Sequence, residues 1–160
     1  METLLALADA HVDFVVAGGV AMVLHGAERT TLDVDIALHM SHDNLRRALA
    51  VFDALGLVPR APVPATDLLD AHKVRRMIDD KHAYVFTFVD PARPARQIDV
   101  FLRAEHSYDV LATDACIVTL EGRPVQVASR ERLAAMKRSV HPRRPKDDFD
   151  LQELQCLNES

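Results

Sequence analysis

Two carboxylates stand one residue apart in Leu32-Asp33-Val34-Asp35-Ile36. Side chains two residues apart on a strand point the same way. Asp33 and Asp35 therefore share one face, and Leu32, Val34, Ile36 and Leu38 share the other. Two such charges held ~4–5 Å apart, at an effective dielectric near 20, repel by about 3–4 kcal/mol. A cation between them relieves that repulsion. Oxygen-only ligands favour magnesium or manganese, and such ions commonly handle phosphates.

Three further features bear on the same chemistry. Asp99 lies in Gln97-Ile98-Asp99-Val100-Phe101-Leu102, with Ile98 and Val100 on the face opposite the acid. A strand here that runs beside 32–38 would bring Asp99 to the first two acids. Gly18-Gly19 follows the apolar run Phe14-Val15-Val16-Ala17. Glycines after a strand permit a tight turn and a close approach, and the amides that open the next helix favour phosphate. Between Lys137 and Lys146 there are five basic residues and no acid, so the net charge of -5 divides into +5 for this decade and -10 for the rest. A basic patch on an acidic protein suits phosphate. Each feature alone also has a bland reading: a turn, solvated acids, a solvated helix end.

The chain of 160 residues is expected to form one domain, with a core over about 13–128 and C-terminal helices over about 129–157. With 49% hydrophobic residues and no Trp, the core must be built from Leu, Val, Ile, Ala and Met. Cys116 and Cys156 are far apart and read as reduced thiols of a cytoplasmic protein. No basic region precedes the first apolar residues, and the longest apolar run, Phe14 to Leu24, is too short to cross a bilayer. The expectation is a soluble protein with no membrane partner. The eight histidines form no metal-type cluster; His39 and His42 read as surface or capping residues, and His25 as support for the glycine turn.

The elements that must position these groups follow from periodicity and punctuation. Helix is expected over 2–10, strand over 13–17, helix over 20–27 and strand over 32–38. Ser41 caps a helix over 42–55 that Gly56 stops, and three prolines make 57–65 irregular. Thr66 is expected to cap a helix over 67–73, after which 74–80 could begin a strand. Strands over 83–89 and 96–102 pair, the segment 104–114 is ambiguous, and 116–120 and 124–128 form a hairpin across Glu121-Gly122-Arg123. Ser129 caps a helix over 130–140, and a last helix covers 146–157. The pattern is α+β (mixed α/β), not a regular βαβ array.

The order of these motifs resembles the nucleotidyltransferase superfamily that includes polymerase beta. Val16-Ala17-Gly18-Gly19, then Arg29-Thr30-Thr31-Leu32-Asp33-Val34-Asp35, then Asp99 on a later strand, match its signature. The spacing is similar to AbiEii-type toxins and related small bacterial nucleotidyltransferases. Leu133-Ala134-Ala135-Met136-Lys137 and Arg143-Arg144-Pro145-Lys146-Asp147-Asp148-Phe149-Asp150-Leu151 resemble that family's later motifs. The large C-terminal helical domain of longer family members has no counterpart in these 160 residues.

The resemblance implies a nucleotidyltransferase fold, a small mixed sheet flanked by helices. It implies magnesium or manganese held by Asp33, Asp35 and Asp99, which are also the catalytic residues. Gly18, Gly19, Arg29, Thr30, Thr31, Lys137, Lys146 and Asp147 would bind the nucleotide, with Asp147 orienting the basic residues. Asp150 is equally readable as a structural partner of Arg143 or Arg144. The implied reaction moves an NMP from an NTP to an acceptor hydroxyl on RNA, protein or a small molecule. The implied setting is a toxin–antitoxin system with an antitoxin protein as partner. The rival reading is a non-catalytic nucleotide-binding or interaction module on the same fold.

Overall fold

A computed structural model describes residues 1–159. The chain runs α1 (Glu2–Asp9), β1 (Phe14–Ala17), α2 (Gly18–Leu24), β2 (Asp33–Leu38), α3 (His42–Ala54), β3 (Val58–Pro59) and a 3-10 turn (Ala65–Leu69). It continues through α4 (Ala71–Lys81), β4 (Val85–Asp90), β5 (Arg93–Phe101), a second 3-10 turn (Ala104–His106) and α5 (Tyr108–Ala112). The hairpin β6 (Cys116–Leu120) and β7 (Arg123–Val127) follows, then α6 (Arg130–Arg138) and α7 (Pro145–Glu159). The strands form one seven-stranded mixed sheet in the order β3-β4-β5-β2-β1-β7-β6. β2 lies parallel to β5 and antiparallel to β1, while β1 lies parallel to β7. The expected mixed α/β architecture is therefore the observed one.

The strand that carries Asp33 and Asp35 is the middle one of seven. Its Val34, Ile36 and Leu38 are buried and continue into Val16, Ile98 and Val100 on the neighbouring strands. Leu32 departs from the expected alternation: it precedes the strand and is 64% exposed. Phe52 of α3 packs on Phe88 of β4 at 4.7 Å between ring centroids, and Phe86 on Phe88 at 5.1 Å. Each such fully buried ring contributes about 1.5–3 kcal/mol of burial.

Among the described residues, side-chain caps open four of the helices, α3, α4, α5 and α6. Ser41 accepts the Asn44 N–H as expected, and Ser129 accepts the Arg132 N–H. Asn44 is itself buried and bonds the Asp13 backbone on both sides and the His39 carbonyl, tying the start of β1 to the end of β2. Two expectations fail in the middle of the chain. Thr66 caps nothing; residues 65–69 form a 3-10 turn, and Asp70 caps the next helix by accepting the His72 and Lys73 N–H groups. The stretch 74–80 is helix, not strand, because α4 presents Val74, Met77 and Ile78 to the core at helical spacing. The hairpin turn is two residues, Glu121-Gly122, both at positive φ, so Arg123 joins β7 and pairs with Leu120.

Candidate active site

β1 ends against β2 with Ala17 opposite Asp35. The chain then turns at once into α2, so this helix starts at Gly18 rather than at the expected position 20. Gly18 makes the turn at φ +62°, and a Cβ there would lie 1.9 Å from Asp35 Oδ2. Only glycine lets the backbone come so close to that carboxylate. A Cβ on Gly19 would lie 2.9 Å from Thr31 Oγ1 and 3.5 Å from Arg29 Nη2. The glycine pair thus presses the turn against the segment Arg29–Asp35, which binds the two halves of the motif together in space.

The ladder between β2 and β5 sets Asp35 directly opposite Asp99, and Asp33 opposite Gln97. All three acids therefore stand on one face of the sheet. Asp33 is exposed, while Asp35 and Asp99 are partly covered. Burial, then the charges of Asp99 and Asp33, push the Asp35 carboxyl up to about 6, against the opposing pull of Lys137 and Lys146. Asp99 has both oxygens engaged: Thr87 Oγ1 donates to Oδ1 at 2.6 Å and Gln97 Nε2 to Oδ2 at 2.9 Å.

Among the described residues, no group of three or more His, Cys, Asp or Glu side chains is arranged to hold a metal ion by itself. The donor set nonetheless fits magnesium as proteins commonly hold it, by one or two carboxylates with substrate phosphates completing the shell. The crowded charge on Asp35 is the observation that favours such a cation.

The later motifs form a second cluster. Lys137 on α6 reaches Asp150 Oδ2 at 2.7 Å and Asp147 Oδ1 at 3.3 Å. Asp147 also accepts from the Arg144 backbone N–H at 3.1 Å and from its Nε at 2.9 Å. The Arg144 guanidinium, helped by Lys137, holds the Asp147 carboxyl down at about 2 despite burial. Arg29 pairs with Asp150. Asp150 is thus the partner of Arg29 and Lys137, not of Arg143 or Arg144; Arg143 reaches Asp148 instead, at 3.3 Å. Both inner acids are buried. Three cations around two carboxylates leave the cluster a net positive side toward Asp35, and Lys146 adds to it.

Of the expected nucleotide-binding residues, Gly18, Gly19 and Thr31 meet at the turn, whereas Lys137 pairs with Asp147 and shares Asp150 with Arg29. Thr31 donates to the Asp33 carbonyl at 3.3 Å, and Thr30 and Lys146 are exposed. Thr30 and Thr31 also line a cavity of about 540 Å3 with Val20, Val34 and Ile98, on the sheet face away from the carboxylates. His25 Nε2 meets the Ala128 carbonyl oxygen at 2.8 Å and so ties α2 to the start of α6. Sequence reasoning missed Thr87 and Gln97. The two-residue spacing of Gln97 and Asp99 was a signal for one of them; nothing local pointed to Thr87.

The family described as Nucleotidyl transferase AbiEii toxin, Type IV TA system, matches residues 1–157. No curated protein matches the chain. Among solved structures, the lincosamide antibiotic adenylyltransferase LnuA in its lincomycin-bound form superposes with a TM-score of 0.62 at 14% identity, covering 98% of this chain and 96% of that one. The antibiotic-resistance factor ANT(2'')-Ia gives 0.59 at 16% identity, covering 99% and 82%. An antigenic nucleotidyltransferase-like protein from Paracoccidioides brasiliensis gives 0.56 at 18% identity, covering 97% and 73%. At these identities the superpositions show the nucleotidyltransferase fold.

Proposed function

The chain belongs to the AbiEii nucleotidyltransferase family, and from that premise we propose that it transfers a nucleoside monophosphate from an NTP to an acceptor hydroxyl at the Asp33–Asp35–Asp99 face. The observation that carries the reading is the placement of Asp99 directly across the ladder from Asp35, with Asp33 on the same face. A divalent cation, magnesium by the oxygen-only donor set, supplies the charge neutralisation that a triphosphate requires.

Asp33 and Asp35 offer their carboxylates to that cation. Asp99 holds the acceptor hydroxyl and takes its proton as the oxygen attacks the α-phosphate. The bond from the α-phosphorus to the bridging oxygen breaks and pyrophosphate leaves. Lys137 and Lys146, whose charges already reach Asp35, counter the charge that builds on the leaving group. The Gly18-Gly19 turn keeps the backbone low enough for phosphates to approach.

The exposed Arg138, Arg143 and Lys146 beside the cluster favour a phosphate-rich acceptor such as RNA. Solved neighbours include an adenylyl-2''-tobramycin complex of ANT(2'')-Ia and the lincomycin-bound LnuA, which supports a small-molecule hydroxyl as the second reading. The family description supports a toxin role with an antitoxin partner, and the reduced thiols suit the cytoplasm. No helix among the described residues is long and apolar enough to cross a membrane.

Incubation with each α-labelled NTP, magnesium and whole-cell RNA or protein tests this directly. Label should pass to an acceptor, vanish with a chelator, and vanish in Asp33→Asn and Asp35→Asn. Wild-type transfer by both variants sinks the mechanism.

A further inference from the structure

We propose that Thr87 and Gln97, with Arg60 behind them, are positioning residues that hold the Asp99 carboxylate in one orientation toward the acceptor hydroxyl. This rests on the role given to Asp99 above.

The three acids are treated differently by the fold. Among the described residues, neither the Asp33 nor the Asp35 carboxylate has a hydrogen-bond or ion-pair partner, whereas Asp99 is clamped on both oxygens. Thr87 is its direct cross-strand neighbour on β4, and Gln97 precedes it by two residues on the same face of β5. Two donors on two oxygens fix the rotation of the carboxylate plane as well as its position, and each oxygen keeps a free lone pair. That is what a group needs if it must aim at one hydroxyl.

Arg60 decides which end of the Gln97 amide faces the acid. A glutamine side chain can present either its oxygen or its nitrogen. The Arg60 Nη2 donates to Gln97 Oε1, and a guanidinium has no acceptor with which to bind the other end. Gln97 Nε2 is therefore turned toward Asp99 Oδ2. Arg60 is fixed in turn by its backbone N–H, which donates to the Thr87 carbonyl at 2.9 Å. The relay thus draws on the end of β3, on β4 and on β5. Arg60 is exposed, and Thr87 and Gln97 are only partly covered, so the packed core does not depend on them.

The test uses Thr87→Val, Thr87→Ser, Gln97→Leu, the double variant Thr87→Val/Gln97→Leu, and Asp99→Asn in the full chain. Three-bond NMR couplings report the Asp99 χ1 angle without any need for turnover. One rotamer is expected in the wild type and in Thr87→Ser, and averaging in the double variant. A single Asp99 rotamer in the double variant overturns the proposal. Transfer from α-labelled NTPs to whole-cell RNA and protein supplies the second readout. Thr87→Val and Gln97→Leu should each lower kcat by roughly 10–100-fold, the usual effect of removing such a supporting partner, with the KM for NTP and the thermal midpoint unchanged and Thr87→Ser retaining activity. Wild-type kcat in Thr87→Val and Gln97→Leu alongside an inactive Asp99→Asn overturns the positioning role alone. Wild-type kcat in Asp99→Asn overturns the role of Asp99 and the proposal with it.

Discussion

The Asp35 carboxylate fills the space that a side chain at position 18 would need: a Cβ on Gly18 falls 1.9 Å from Oδ2 and 2.8 Å from Cγ. The turn and the acid are therefore one unit, although fifteen residues of chain lie between Gly19 and Asp35.

Gly18→Ala should be damaging twice over. The left-handed φ of +62° costs a non-glycine residue about 1–2 kcal/mol, and the new methyl must displace Asp35. We expect a lower denaturation midpoint together with loss of transfer. Gly19→Ala is the control. Its Cβ meets Thr31 Oγ1 at 2.9 Å and Thr31 Cβ at 3.2 Å, a milder overlap than the 1.9 Å at Gly18 and at a backbone angle that any residue adopts, so it should lose less of both. Equal losses in the two variants would contradict the close approach.

Asp35→Asn should separate stability from function. The native carboxyl titrates near 6 rather than 3.8, so the folded state binds the proton more tightly than the unfolded chain. Asp35 therefore favours folding at low pH, and that contribution is lost as pH rises from about 4 to 6. A shift of about two pKa units amounts to about 3 kcal/mol. Without divalent cations at pH 7–8, Asp35→Asn should be more stable than the wild type by up to that amount, and inactive. Urea melts at pH 4 and pH 7.5 measure it; a less stable Asp35→Asn at pH 7.5 would refute the repulsion.

Asp147 should behave in the opposite sense. Its carboxyl is held at about 2, so its contribution is fully present above pH 4 and is lost as pH falls from about 4 to 2. The shift from 3.8 corresponds to about 2 kcal/mol. Replacing it by Asn should flatten the stability curve across that window, and acid titration of the denaturation midpoint would show whether it does.

Asp150→Ala leaves Arg29 and Lys137 facing each other without their shared acid. Breaking a buried pair by removing one partner costs about 3–5 kcal/mol. Chemical denaturation of Asp150→Ala should show a loss of this order, and a loss under about 1 kcal/mol would mean that the cluster is energetically a surface one.

Much of the site was legible because its geometry is local. The two-residue period of a strand places Asp33 and Asp35 on one face whatever surrounds them, and Ser41 and Ser129 cap helices through contacts three residues away. The helix over 71–81 was harder to read because its cap, Asp70, follows a 3-10 turn that interrupts the pattern. Leu32 was read into the wrong environment because alternation alone does not say where a strand begins.

The amino-acid order by itself determined the carboxylate pair, the glycine turn, the helix–lysine–basic run and hence the family. It could not determine which strand lies beside which, since pairing depends on long-range register. Only the tertiary structure set Asp99 opposite Asp35, gave Asp150 to Arg29 across 121 residues, and brought Thr87 and Gln97 onto the two oxygens of Asp99. Those relationships arise when distant segments must share one sheet and one buried cluster of charge, a constraint that no short stretch of sequence carries.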